Sequence, residues 1–144
     1  MLDENGNIYL AVNQQNVSVN PDGKKRWTLN FPALIDASPA VAADGMVYFS
    51  APWRNLIAVK SDGKQQWRLN VDSDPTHGNI VASPVIGDDG TIYAANNFYF
   101  FAINSSNGLP PLAKSSWPMF HANPRHTGRV AKILEHTNVE MLKR

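Results

Sequence analysis

Four histidines and twelve acidic residues are the side chains from which this sequence could build acid–base or metal chemistry. His77 stands in Asp72-Ser73-Asp74-Pro75-Thr76-His77-Gly78-Asn79, an imidazole close to two carboxylates. That arrangement suits either a weak metal or contact site or an ordinary loop histidine. His121 and His126 lie five apart on a proline-containing loop, with Asn123 and Arg125 between them. Metal ligation there needs a third ligand and a neighbouring anion rather than an arginine, so both read as loop or hydrogen-bonding histidines. Asp44-Gly45, Asp62-Gly63 and Asp88-Asp89-Gly90 lack the spacing of a calcium loop, and hairpin turn chemistry accounts for them. The carboxylate pairs Asp3-Glu4, Asp72-Asp74 and Asp88-Asp89 fall in turns and read as solvated. Serine-histidine-aspartate order, a nucleophile elbow and a phosphate-cradling glycine loop are all missing. With no cysteine, thiolate nucleophiles, disulfides and cysteine zinc sites are excluded as well. The expectation is a chain that is not an enzyme, with no catalytic, cofactor-binding or metal-binding residue to assign.

The elements that position these residues repeat along the chain. Asp22-Gly23-Lys24-Lys25-Arg26-Trp27 returns as Asp62-Gly63-Lys64-Gln65-Gln66-Trp67, and both copies continue into Leu-Asn. A second phrase is out of phase with the first. Ser38-Pro39-Ala40-Val41 precedes Asp44-Gly45-Met46-Val47-Tyr48, and Ser83-Pro84-Val85-Ile86 precedes Asp89-Gly90-Thr91-Ile92-Tyr93. Asn5-Gly6-Asn7-Ile8-Tyr9 is a third, shorter copy. A step of about 40 residues between short β segments is the pattern of a radially repeated all-β fold.

Within the middle repeat the alternation predicts four strands, over Ala37–Ala42, Met46–Ser50, Leu56–Lys60 and Gln65–Val71. Asp44-Gly45, Pro52-Trp53-Arg54-Asn55 and Ser61-Asp62-Gly63-Lys64 turn the chain between them. The first repeat supplies three strands, Asn7–Val12, Asn16–Asn20 and Lys25–Phe31. The third supplies Val81–Gly87, Thr91–Ala95 and Tyr99–Asn104, then departs from the pattern. The organisation is thus 1–32, a partial blade; 33–72, a complete one; 73–120, a third; and 121–144, a closing segment with a basic tail. In that tail Val130, Ile133 and Leu134 give a weakly helical pattern, with disorder as the alternative.

These residues resemble the pyrroloquinoline-quinone-type (PQQ-like) β-propeller repeat, whose blades close on a tryptophan-docking motif. Ser18, Asn20, Gly23 and Trp27 follow it, as do Ala58, Gly63 and Trp67 with Lys60 in the acidic position. Ala102, Asn104, Asn107 and Gly108 keep the full-length turn, with Leu112 at the ring position and Trp117 as another occupant. The resemblance implies that both tryptophans are interblade core, where large rings supply area that small sheets lack. The segment from Trp117 through Met119 and Phe120 to His126-Thr127-Gly128-Arg129 is similar to a phrase that accompanies such propellers in exported proteins. It implies a closing element, with Trp117, Met119 and Phe120 buried against the last blade. Quinone-binding relatives use calcium and acidic and amide ligands at the axis of a complete ring, and no residue here maps onto those ligands. PQQ with calcium is therefore not expected.

Composition agrees with a globular β domain: 43% of residues are hydrophobic and 17% charged, which excludes a disordered chain. No apolar run is long enough for a membrane helix, and the acidic, polar start is not a signal peptide. Export would need a signal upstream. Residues 1–113 carry seven Lys/Arg against ten Asp/Glu, and residues 114–144 carry six against two. That excess is too small for a nucleic-acid interface.

The run Phe98-Tyr99-Phe100-Phe101 is too apolar for one covered face, since alternation sends its rings to both sides. Neighbouring blades cover both sides, or a partner covers one. Under three blades cannot close a ring, so either a longer chain or self-association completes it. The reading is a non-catalytic scaffold for protein or carbohydrate contacts, in an exported or envelope setting by resemblance. A fragment of a quinoprotein dehydrogenase and a sensor module of a larger receptor or kinase are the alternatives.

Overall fold

Short runs of apolar and polar residues, most of them ended by an Asp-Gly, Asn-Gly or proline turn, form ten strands among the described residues of a computed structural model of the chain. The structure describes residues 1–105, 107–115 and 117–122. His126 and the pattern around Val130, Ile133 and Leu134 lie outside the described residues. The fold is all-β and every strand pair is antiparallel. β1 (Ile8–Val12), β2 (Gln15–Val19) and β3 (Lys25–Asn30) form a first sheet in that order. β4 (Ala40–Val41), β5 (Val47–Ala51), β6 (Asn55–Val59) and β7 (Gln65–Asn70) form a four-stranded second sheet. β8 (Val85–Ile86), β9 (Ile92–Ala95) and β10 (Phe100–Ile103) form a third. Between the second and third sheets, one 3-10 turn spans Pro75–His77.

Two strands are shorter than their sequence pattern predicts. β4 covers two of the residues expected over Ala37–Ala42, and β8 two of those over Val81–Gly87. Pro39 and Pro84 explain both: a proline has no N–H to give a ladder, so pairing starts only after it.

The internal repeat extends to backbone irregularities. Register shifts fall between Ser18 and Val19 in the first sheet and between Ala58 and Val59 in the second. Each shift seats a tryptophan at the same place, Trp27 opposite Ser18 and Trp67 opposite Ala58. Each ring then leans on its sheet's tyrosine, Trp27 on Tyr9 at 5.8 Å and Trp67 on Tyr48 at 5.7 Å between centroids.

The core has two layers, one on each face of the second sheet. Val41, Val47, Phe49, Ile57 and Val59 pack toward the first sheet against Tyr9, Trp27, Leu29 and Phe31. Ala40, Tyr48, Leu56 and Ala58 pack toward the third against Ile86, Ile92 and Ala94. Strand alternation makes this division, since odd and even positions of β5 and β6 take opposite faces. Two polar residues of β2, Asn16 and Ser18, are buried on the face of the first sheet that carries Tyr9. Asn16 is 2% exposed, and among the described residues neither its amide nitrogen nor its oxygen has a hydrogen-bond partner.

The closing segment does not take the expected course. Leu112 bridges Ala42, Ala113 N donates to Val41 O, and Val41 N donates to Pro118 O. Leu2 N donates to Trp117 O at 2.7 Å. The segment therefore runs between Leu2, which bridges to Ile8 at the edge of the first sheet, and β4 of the second, rather than packing as a unit on the third. Leu112 does not sit opposite Ala102, because Pro110 and Pro111 cannot donate to a strand ladder there. Met119 is fully buried in the layer between the second and third sheets, whereas Phe120 is 42% exposed. The expectation that Phe120 is buried is corrected: it lies within the turn that Ala122 N closes on Met119 O, and faces outward.

Trp27 fixes the contact between the first two sheets. Its Nε1 donates to Ser61 O at 2.9 Å, and a Cβ on Gly63 would meet its Cγ at 2.6 Å. Gly63 has φ +89°, which an L side chain rarely adopts. Gly23 occupies the equivalent turn with φ +77°, but no atom lies within 4 Å of its Cβ position. Gly63→Ala should therefore cost about 2–5 kcal/mol and Gly23→Ala only about 1–2 kcal/mol, as read by urea denaturation. Equal losses would mean that the Trp27 contact carries no energy. Asn16→Leu, which copies Leu56 from the equivalent position, should raise stability by about 1–2 kcal/mol by removing an unpaired buried amide. A fall in the denaturation midpoint would show that the amide has a partner.

Candidate functional site

The loop between the second and third sheets gathers the titratable and aromatic residues that the sequence singled out. Asp72 is its hub. Its Oδ1 accepts from Asp74 N at 3.0 Å, and its Oδ2 lies 2.8 Å from His77 Nδ1 and accepts from Asn96 Nδ2 at 3.0 Å. Its backbone oxygen accepts from Arg54 Nε at 2.8 Å. Asn96 in turn accepts at Oδ1 from Phe98 N and Tyr99 N, which caps the β9–β10 turn. Asp74 accepts from Thr76 N and Oγ1 and initiates the 3-10 turn that carries His77. Asp72, through its carboxylate and its backbone oxygen, thus joins three otherwise separate turns.

His77 lies among aromatic rings. Its centroid is 5.1 Å from that of Phe98 and 5.0 Å from that of Tyr99, and its Nε2 is 3.4 Å from Asp74 Oδ2. Both ring nitrogens therefore face carboxylates. Among the described residues no three His, Asp or Glu side chains converge to hold a metal. The arrangement orients rings: Phe98 is 65% exposed and Tyr99 51%. Phe100 is also exposed but belongs to strand β10, where it stacks on Tyr93 at 5.5 Å, while Phe101 is half-buried.

The sequence reading missed Trp53, Arg54 and Asn96. Trp53 and Arg54 have φ of 60° and 61°, two consecutive left-handed residues without glycine, and Trp53 is exposed. Asn55 Nδ2 holds this strained hairpin by donating to Pro52 O and Trp53 O, and Asn79 Oδ1 receives Trp53 N from the long loop. A large aromatic inside a tight turn, in Pro52-Trp53-Arg54-Asn55, was the available signal.

The other sequence-selected residues have structural positions. Ser18 and Ala58 face the tryptophans, and Asn20, Gly23 and Gly63 form the turns before them. Asn20 Oδ1 accepts from Lys24 N. Ala102 lies on β10 opposite Tyr93, and Gly108 N donates to Ser105 O. Trp67 has no counterpart of the Trp27–Gly63 contact: among the described residues nothing lies within 4 Å of a Cβ on Gly108. Ser18 also joins a polar chain in which Arg26 Nη1 donates to Ser18 Oγ and Tyr9 Oη, and Tyr9 Oη donates to Asp3 Oδ2. Burial and the neighbouring Asp3 push the Tyr9 phenol up to about 12.

Burial pushes the Asp72 carboxyl upward, but hydrogen bonds from Asp74 N, His77 and Asn96 outweigh it and hold the group below its ordinary value of 3.8. Thr76, through side chain and backbone, lowers Asp74 in the same direction. Both carboxylates thus stabilise the folded loop fully above their ordinary value, and that contribution is lost as pH falls through the lower folded values. NMR protection factors at Phe98 N and Tyr99 N, followed from about pH 6 to about pH 2, should drop only in the acid limb. Asp72→Asn should lower them at neutral pH. Protection unchanged by acid and by the substitution would exclude Asp72 as the hub.

Compared with models of protein families and with curated proteins, the chain matches none of either.

Proposed function

We propose that this chain is a segment of a PQQ-like β-propeller, each sheet one blade, acting as a non-catalytic scaffold in an exported or envelope protein. The repeat supports this reading: tryptophan, turn glycine and register shift recur 40 residues on in the second sheet, and the tyrosine 39 residues on. The single observation that carries the function is the aromatic turn. Phe98 and Tyr99 are held outward by Asn96, whose Oδ1 accepts from both their backbone N–H groups, with Asp72 and His77 behind it.

Rings presented on a fixed turn cover area without the entropy of ordering a loop on binding. Asp72, His77 and Asn96 spend their hydrogen bonds on one another and on the backbone, which serves orientation rather than proton transfer. The site thus reads as a contact surface for a protein partner. The reading assigns no cofactor.

The chain immobilised on a solid support should retain a defined protein from an envelope extract. The double variant Phe98→Ser/Tyr99→Ser should retain less than about one-tenth as much, as expected when two central rings are lost. Equal retention by the variant would place the contact elsewhere, and no specific retention by either would remove the scaffold reading.

A further inference from the structure

Two apolar faces of the stack have no covering sheet among the described residues, and each copies one half of a contact that the chain already makes twice. In the second sheet, Val47, Phe49, Ala51, Ile57 and Val59 are at most 4% exposed because the first sheet covers them. The internal step places Ile8, Leu10, Val12, Val17 and Val19 at the equivalent positions of the first sheet, paired as Ile8 with Val19 and Leu10 with Val17. Among the described residues no sheet covers them: Leu10 is 42% exposed and Val12 47%.

The opposite half of the contact is uncovered at the other end. Tyr48, Ser50, Leu56 and Ala58 form the second-sheet face that the third sheet covers. Their equivalents in the third sheet are Tyr93, Ala95, Phe100 and Ala102, from the pairs Tyr93 with Ala102 and Ala95 with Phe100. Phe100 is 71% exposed there. Beside it Tyr93, Ala95, Phe100 and Phe120 line a cavity of about 470 Å³. Among the described residues the third sheet has no outer strand like β7, and none supplies this face with a ring placed like Trp67.

We infer that a second copy of this chain covers both faces, head to tail. The Leu10 face of one copy lies on the Phe100 face of the other, and the reverse contact closes the pair. The complementarity is the evidence, since the same two kinds of face already pack together between the first and second sheets and between the second and third. Two copies bring six sheets, within the roughly 4–8 that close a radial stack. A head-to-tail contact that closes gives a discrete ring and leaves neither apolar face in water. This inference rests on the sheets being successive blades, but not on the aromatic turn, since Phe98 and Tyr99 belong to neither face.

Light scattering behind a sizing column, over a tenfold concentration range, tests it on the chain as it stands. The expected result is a dimer. Leu10→Glu and Phe100→Glu each place a carboxylate in one face, and each should run as a monomer with the far-ultraviolet circular dichroism of the parent. An equimolar mixture should regain a dimer, because each variant keeps the face that the other has lost. Val12→Glu and Ala102→Glu address the same two faces if either first variant misfolds. A monomeric parent, a ladder of growing species, or dissociation by only one of the two variants would overturn the inference; the last would mean that one face pairs with itself. Phe98→Ser/Tyr99→Ser should remain dimeric, so failure of the scaffold reading leaves this result intact and the reverse holds too.

Discussion

Sheet-on-sheet burial is the constraint on which everything else in this molecule depends. Strands of two to six residues, in sheets of three or four, bury too little by themselves to be stable in water. Each sheet needs a neighbour on its apolar face, and the second sheet has one on both. Its two faces are accordingly the most completely buried part of the chain. Trp27 makes the joint specific as well as apolar. Its indole N–H reaches Ser61 O while its ring lies over Gly63, so the first sheet is fixed in position and in angle.

That joint was legible in the sequence because it is built from residues at fixed spacing. Turn glycine and ring recur at the same spacing, the tyrosine one strand back recurs within one residue of it, and the register shifts that aim the rings recur with them. The inner strands were legible in position but not in length, since a proline removes pairing before it without removing the apolar pattern. The course of the closing segment was not legible. Leu112 fits the spacing of the ring position, yet its place is decided by a long-range bridge to Ala42.

The candidate site was half legible for a related reason. Asp72, Asp74 and His77 are neighbours along the chain, so their grouping shows in the sequence. Asn96 and Arg54 come to Asp72 from 24 and 18 residues away, across two sheets, and only the stacking brings them there. The exposed rings needed both kinds of information. A short turn sets Phe98 and Tyr99 side by side, and Asn96 then keeps them from folding inward.

Alternation in a strand reports which residues share a face; it does not report whether that face is covered. Leu10, Phe49 and Ala94 occupy equivalent positions in the three sheets, yet Leu10 is 42% exposed and the other two are at most 2%. Leu56 and Phe100 are another such pair, buried in the second sheet and exposed in the third. The residue type is apolar in every case, so local pattern cannot separate them. Position in the stack does. An apolar side chain kept at a position with no covering sheet therefore says something different from the same side chain in the middle: the first must be covered by another molecule or another part of the assembly, or remain a patch exposed to water.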